Sequence, residues 1–307
     1  MADKDNLKRI LLFLVVNFVL TYFIEIVMVA PIVGSPDLNE AMTAQSLITW
    51  VMFMPAFSVF ITRLITREGF QGGDLYFSLK IREHLKYYGL VWFGFGLLTV
   101  VGTVLYFILF PKQFDANLGY AAAVLNAQME EEIGTNQVRQ IMGAQVVTGF
   151  LLSPFMNIVY CFGEELGWRG YLLPKLMKCF PVTWAVLLNG VIWGLWNIPL
   201  IVMGHNYGVG YRGFPYVGII AMCLFCVVIG IILCYVTIKT HSCVPAILGH
   251  GMINGFSTVG VYFSSLENPY NVFLGPAPTG FIGGMGFILL AAVLLWKLKK
   301  EEKTVAN

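Results

Sequence analysis

The feature that most constrains this chain is a series of eight nearly uncharged apolar stretches, at 10–32, 45–64, 88–110, 142–163, 183–203, 216–237, 243–263 and 279–296. Each is about 18 residues or longer, the length at which an α-helix crosses the hydrocarbon core of a bilayer. The expectation is an all-α polytopic membrane protein, an eight-helix transmembrane bundle forming a single membrane domain over 1–307. Composition agrees: 12% of residues are charged and 58% hydrophobic, against about 25% charged in soluble domains. A soluble globular protein is excluded. The first stretch follows Lys4, Lys8 and Arg9. It is longer than a secretory signal core of about 7 to 15 residues and has no small-residue cleavage site, so it reads as a retained first span.

Charge placement tests the span count independently. Eight spans put both termini on one side, and sixteen of the nineteen Lys and Arg residues then share that side. Lys112, Arg139 and Arg212 are left opposite, with the acids Asp37, Glu40, Asp115, Glu130, Glu131, Glu132 and Glu267. Basic loops stay cytoplasmic, so the reading is a multi-pass protein of the cell membrane with both termini cytoplasmic. No clustered basic face carries base-reading groups, and nucleic acid is not an expected partner. Membrane lipids are. The six cysteines lie in or beside the apolar stretches, and Cys223-x-x-Cys226 sits among Leu, Phe and Val. They read as small buried apolar residues rather than a redox or zinc pair.

The connections carry expectations of their own. Residues 65–87 mix bases, aromatics and a glycine turn, as in a segment lying at the cytoplasmic interface. Residues 111–141 form an outer loop, helical around 120–132. Residues 168–180 read as an amphipathic connector with Arg169, Lys175 and Lys178 turned to the headgroups. Gly280, Gly283, Gly284 and Gly286 in the last stretch suit close helix contact. No internal repeat is present.

Polar groups inside the spans are the chemical clues, since a charged side chain at mid-membrane costs about 2.5 to 3.5 kcal/mol. In C-F-G-E-E-L-G-W-R-G, Glu165 and Arg169 are four apart and share a helical face, while Glu164 points about 100° away. One arginine therefore explains Glu165 and leaves Glu164 for another task. In A-I-L-G-H-G-M-I-N-G, His250 and Asn254 stack on one face among glycines. In W-G-L-W-N-I-P, Asn197 precedes Pro199, which interrupts the helix. Glu25 in the first span has no evident partner. Each has a plainer reading: solvated acids at a helix end, a packing histidine, an asparagine bonding helix to helix.

Taken in order, E-E-x-x-x-R, an aromatic-x-x-x-His before proline, and H-x-x-x-N, these motifs resemble the family of CAAX-processing and bacteriocin-processing intramembrane proteases, the Abi family. The resemblance covers mainly 155–260, within a protease-like core of about 142–263. The first and third motifs are complete, at Glu164 to Arg169 and His250 to Asn254. The second departs: Trp193 replaces a phenylalanine, and Asn197 replaces a histidine. An amide hydrogen-bonds but accepts no proton near neutral pH.

The resemblance implies hydrolysis of a peptide bond in a membrane-associated peptide or protein, prenylated or a leader. Glu164 would be the base that activates water, and Arg169 would hold Glu165 ionised. His250 and Asn254 would supply N–H donors to the oxyanion, and residue 197 would help position the water. That mechanism requires no cofactor. The family is also labelled metalloprotease, which implies a zinc set of Glu164, a histidine at 197 and His250; here Asn197 removes one ligand, and no H-E-x-x-H replaces it. Two readings compete with an endopeptidase of reduced activity. One is an inactive pseudoprotease acting as a partner in bacteriocin immunity or envelope regulation. The other is a small-solute or ion transporter, disfavoured because only one span is broken where transporters repeat the device.

Overall fold

The computed structural model describes residues 4–69, 74–127 and 133–306, and every regular element among them is a helix. Helix α1 (Lys4–Val29) has no glycine or proline to interrupt it; its last turns, Ile24–Val29, widen to π geometry around Glu25. Asp37 starts α2 (Leu38–Val51) by accepting from the Asn39 and Glu40 amides at 2.8 and 3.1 Å, satisfying orphan N–H groups of the first turn. After a 44° bend comes α3 (Met54–Thr66), which ends where Arg67 turns left-handed at φ 54°. There follow α4 (Arg82–Leu109), α5 (Gly119–Asn126), α6 (Thr135–Met156) and α7 (Ile158–Cys179). The last five are α8 (Val182–Trp196), α9 (Ile198–Val202), α10 (Tyr216–Thr240), α11 (Val244–Phe256) and α12 (Met285–Ala306).

This is an all-α polytopic membrane protein. By length and composition α1, α4 and α10 are each able to cross a bilayer, and α2 with α3 and α6 with α7 raise the number to five if each pair is one span. The other three apolar stretches depart from simple spans for visible reasons. The 183–203 stretch breaks at Asn197, just before Pro199. Helix α11 stops at Phe256, and α12 starts only at Met285 before running into its lysine-rich tail. Gly280, Gly283 and Gly284 therefore precede the helix in tight turns, and a Cβ on Gly283 would lie 2.3 Å from the Ala277 carbonyl oxygen; close helix contact is present as well, since the Gly283 backbone lies against Gly102 of α4, leaving no room for a Cβ there. Gly286, inside α12, does meet another helix at Leu98. In the outer loop, α5 realises part of the expected helix, while Glu130, Glu131 and Glu132 lie outside the described residues.

The chain forms two compact units. The first comprises Met1–Tyr87, Ile158–Ile247 and Ala291–Asn307; the second comprises Tyr88–Asn157 and Leu248–Leu290. In the first, α8 and α10 cross so closely that a Cβ on Gly190 would lie 2.7 Å from the Val227 Cα, and one on Gly194 2.6 Å from the Cys223 Cα. The second contains a small core of Leu118, Ala121, Val138 and Met142. There, Phe95 packs edge-on against Phe287, and Phe150 against Phe256.

One expectation about the connections is corrected. Residues 167–176 are buried throughout, so 168–180 is no interfacial connector: Arg169 and Lys175 lie inside the protein and only Lys178 is exposed. Helix α7 continues through a π-wound stretch, Leu166–Leu172, and each buried cation finds a carboxylate there, Glu165 for Arg169 and Glu68 for Lys175. The 65–87 segment, of which 70–73 lie outside the described residues, keeps most of its surface exposed and is joined to the bundle at Tyr76. The Tyr76 amide donates to the Gly170 carbonyl at 3.0 Å, and the Cys243 amide to the Tyr76 carbonyl at 2.7 Å.

Candidate active site

Consecutive residues on a helix diverge by about 100°, and α7 uses this to separate its two acids. Glu165, fully buried, accepts through Oε1 from Arg169 Nη1 at 2.8 Å. The Arg169 guanidinium lies 4.4 Å over the Trp193 ring, a cation–π contact strengthened by its burial. Its slot depends on Gly230, where a Cβ would come within 3.2 Å of Nη2.

Glu164 faces elsewhere and is also buried, at 4% exposure. Its Oε2 accepts from two indoles, Trp193 Nε1 at 2.9 Å and Trp168 Nε1 at 3.3 Å. Trp168 comes from the next turn of α7 and Trp193 from α8. Trp168 is held in turn: Asn189 Nδ2 donates to its carbonyl at 2.9 Å, satisfying backbone in the π-wound stretch, and its ring meets Trp196 edge-on.

Asn197 caps α8. Its Nδ2 donates to the Trp193 carbonyl at 2.9 Å and lies 3.9 Å from Cys226 Sγ. Trp193 thus reaches Glu164, and Asn197 sits one turn, about 6 Å, further along α8. His205 is exposed in the loop after α9. In the second unit, His250 and Asn254 lie one turn apart on α11. They share a helical face but differ in burial: His250 is buried and Asn254 exposed.

Within the first unit the fold therefore joins Glu164, Glu165 and Arg169 to two groups that sequence reasoning passed over. Trp168 follows Glu164 by four residues, the same spacing that identified the Glu165–Arg169 pair, but its indole reads as apolar bulk. Trp193 registers only as one aromatic for another, although its N–H gives it a bond that phenylalanine lacks. A catalytic zinc takes three protein ligands. Among the described residues no three His, Cys, Asp or Glu side chains gather where they could hold a metal ion, and the Asn197 amide is turned to its own helix.

Fold and site define the class first: a polytopic α-helical membrane protein with a buried, indole-held glutamate beside a glutamate–arginine pair. Residues 146–256 match the family described as type II CAAX prenyl endopeptidase Rce1-like. This segment starts within α6, ends with α11, and contains all six motif residues. CAAX prenyl protease 2 of Methanococcus maripaludis is 31% identical over an alignment of 120 residues that covers 36% of this chain; the chain spans 42% of that relative's length.

Proposed function

We propose that the protein is an intramembrane endopeptidase that hydrolyses a peptide bond in a membrane-associated substrate, with Glu164 as the base that activates water. The observation that carries this reading is the division of two adjacent buried acids. Arg169 engages Glu165, while the donors on Glu164 Oε2 are two neutral indoles. A carboxylate held by neutral donors keeps its orientation and its capacity to accept a proton, as a general base requires. In the reaction Glu164 takes a proton from water as the oxygen bonds to the scissile carbonyl carbon. His250 and Asn254 would donate to the oxyanion, and the amine departs as its nitrogen takes up a proton and the carbon–nitrogen bond breaks. Glu165 and Arg169 keep this turn of α7 in place. No step runs through a metal.

The name of the Methanococcus relative supports a prenylated C-terminal peptide as substrate, with a leader peptide as the other candidate. Eight passes with both termini cytoplasmic would bring such a peptide to the basic side of a cell membrane. Purified protein in liposomes, supplied with a farnesylated CAAX peptide, tests the reading by mass spectrometry of the products. Glu164→Gln abolishes cleavage and Asn197→His raises it; unchanged hydrolysis by Glu164→Gln would remove the base from the mechanism.

One observation favours a second reading. The Asn197 amide is directed to the Trp193 carbonyl, as suits an inactive relative acting as a partner in immunity or envelope regulation. A cellular phenotype that survives Glu164→Ala combined with His250→Ala identifies that case.

A further inference from the structure

Helix α1 carries a buried polar stripe. Asn17, Thr21 and Glu25 recur every four residues, and all three have no exposed surface. Four-residue spacing places such groups on one helical face. The stripe is fastened to the end of α8, the helix that bears Trp193 and Asn197. Trp196 Nε1 donates to Thr21 Oγ1 at 2.7 Å, and the Tyr22 hydroxyl donates to the Leu195 carbonyl at 2.7 Å. One turn on, the π-wound Ile24–Val29 stretch packs against α9, which places Glu25 beside the same α8 terminus. Glu25 lies within electrostatic reach of Glu164. The mechanism above makes no use of it, and 146–256, the family-matched segment, does not include it.

The two carboxyl groups are supported unequally. Glu164 has indole donors on Oε2, whereas neither oxygen of Glu25 has a hydrogen-bond donor among the described residues. Two buried carboxyl groups within electrostatic reach of one another do not ionise equally, and the charge settles where donors stabilise it. An anion at Glu25 would be buried without compensation. The geometry points to Glu25 as a further catalytic residue: the neutral, proton-carrying acid paired with the ionised base Glu164. This rests on the proposed hydrolysis and supplies its missing half.

The protons balance as follows. Glu164 removes one from water as the water oxygen bonds to the carbonyl carbon. Glu25 gives its own to the amide nitrogen as the carbon–nitrogen bond breaks. Glu164 is then neutral and Glu25 ionised, and transfer of one proton from Glu164 to Glu25 restores the starting state.

Infrared spectroscopy of the full chain in liposomes at neutral pH tests the charge assignment without any substrate. A neutral-carboxyl C=O band is expected that disappears in Glu25→Gln, shifts in frequency in Glu25→Asp, and persists in Glu164→Gln. A wild-type spectrum whose neutral-carboxyl region is untouched by either Glu25 variant overturns the proposal. On the farnesylated peptide, Glu25→Gln should lower kcat by about a hundredfold or more, with KM unchanged, as expected for loss of a general acid. Glu25→Asp, which keeps a transferable proton, should recover part of that loss. A Glu25→Gln protein that melts like the wild type and turns over at the wild-type rate removes Glu25 from catalysis while leaving the protease reading intact. A wild type that cleaves nothing, yet shows the Glu25 band, fails the protease reading and keeps the unequal pair.

Discussion

The first unit contains two buried acidic centres, and they are built on opposite rules. At Glu68, donors crowd the carboxylate. Thr66, Tyr171 and Lys175 donate at 2.8, 2.7 and 2.6 Å, and Arg9 Nε stands 3.6 Å away. Lys175 also approaches Asp74, which Arg63 holds at 2.9 Å. Burial alone would raise the Glu68 pKa, but the bonds from Lys175, Tyr171 and Thr66 outweigh it and hold the group below the ordinary carboxylate range. At the α7 site a single ion-pair bond joins Arg169 to Glu165, with neutral indoles on Glu164 Oε2 and no donor on either oxygen of Glu25 among the described residues. A carboxylate saturated by cations is fixed as an anion and serves the fold. One held by neutral donors can exchange a proton.

The comparison breaks first at Arg169. Arg169→Met removes the cation bonded to Glu165 inside the protein, and breaking a buried pair in this way costs about 3 to 5 kcal/mol. Glu164→Gln keeps a carbonyl to accept from the indoles and should leave stability nearly unchanged while ending activity. Unfolding of both variants in detergent measures the contrast. Equal losses would mean that the two adjacent acids are not divided into structural and chemical roles.

Trp193→Phe sharpens the same contrast from the side of the donors. It keeps an aromatic face for Arg169 but deletes the 2.9 Å bond to Glu164. A hydrogen bond to a charged group contributes about 1.5 to 3 kcal/mol, so kcat/KM should fall roughly ten- to a hundredfold with little change in melting temperature. Trp168→Phe, which loses the longer 3.3 Å bond, should cost less. Full activity in Trp193→Phe would show that the indole packs without orienting the base.

How much of this could be read in advance depended on how far apart the partners lie in the chain. The Glu165–Arg169 pair is four residues long and was legible from helical spacing, as was the outward turn of Glu164. The His250 and Asn254 spacing was equally plain, but their unequal burial depends on neighbours that spacing cannot reveal. Lys175 looked like a headgroup anchor because its partner, Glu68, is 107 residues earlier, and hydropathy has no means of pairing them. Glu25 looked unexplained for the same reason. Trp193 was misjudged chemically: a hydropathy reading registers the size of an indole and passes over its N–H. Most helices were legible; the turns at 280–284 were not, since the same glycines serve helix contact and tight turns alike, as Gly283 does against Gly102.

The last prediction lies at Glu68 and concerns acid. Its folded pKa is depressed, so its contribution to stability is fully present above the unfolded value of about 4.3 and is lost as pH falls through the lower folded value. Between those limits the unfolded chain binds the proton first, and the slope of stability with pH is positive. Lys175→Met takes away the leading stabilising bond and should flatten that slope below about pH 4.3, while leaving melting at neutral pH lower by about 1.5 to 3 kcal/mol. Thr66, Tyr171 and Arg9 remain on the carboxylate, which is why the loss stays below that of Arg169→Met, where Glu165 loses its bonded guanidinium. Melting curves across this acid range decide the matter. A slope identical to the wild type would mean that Lys175 does not set the charge on Glu68, and the division between a saturated structural centre and an unsaturated chemical one would lose its first term.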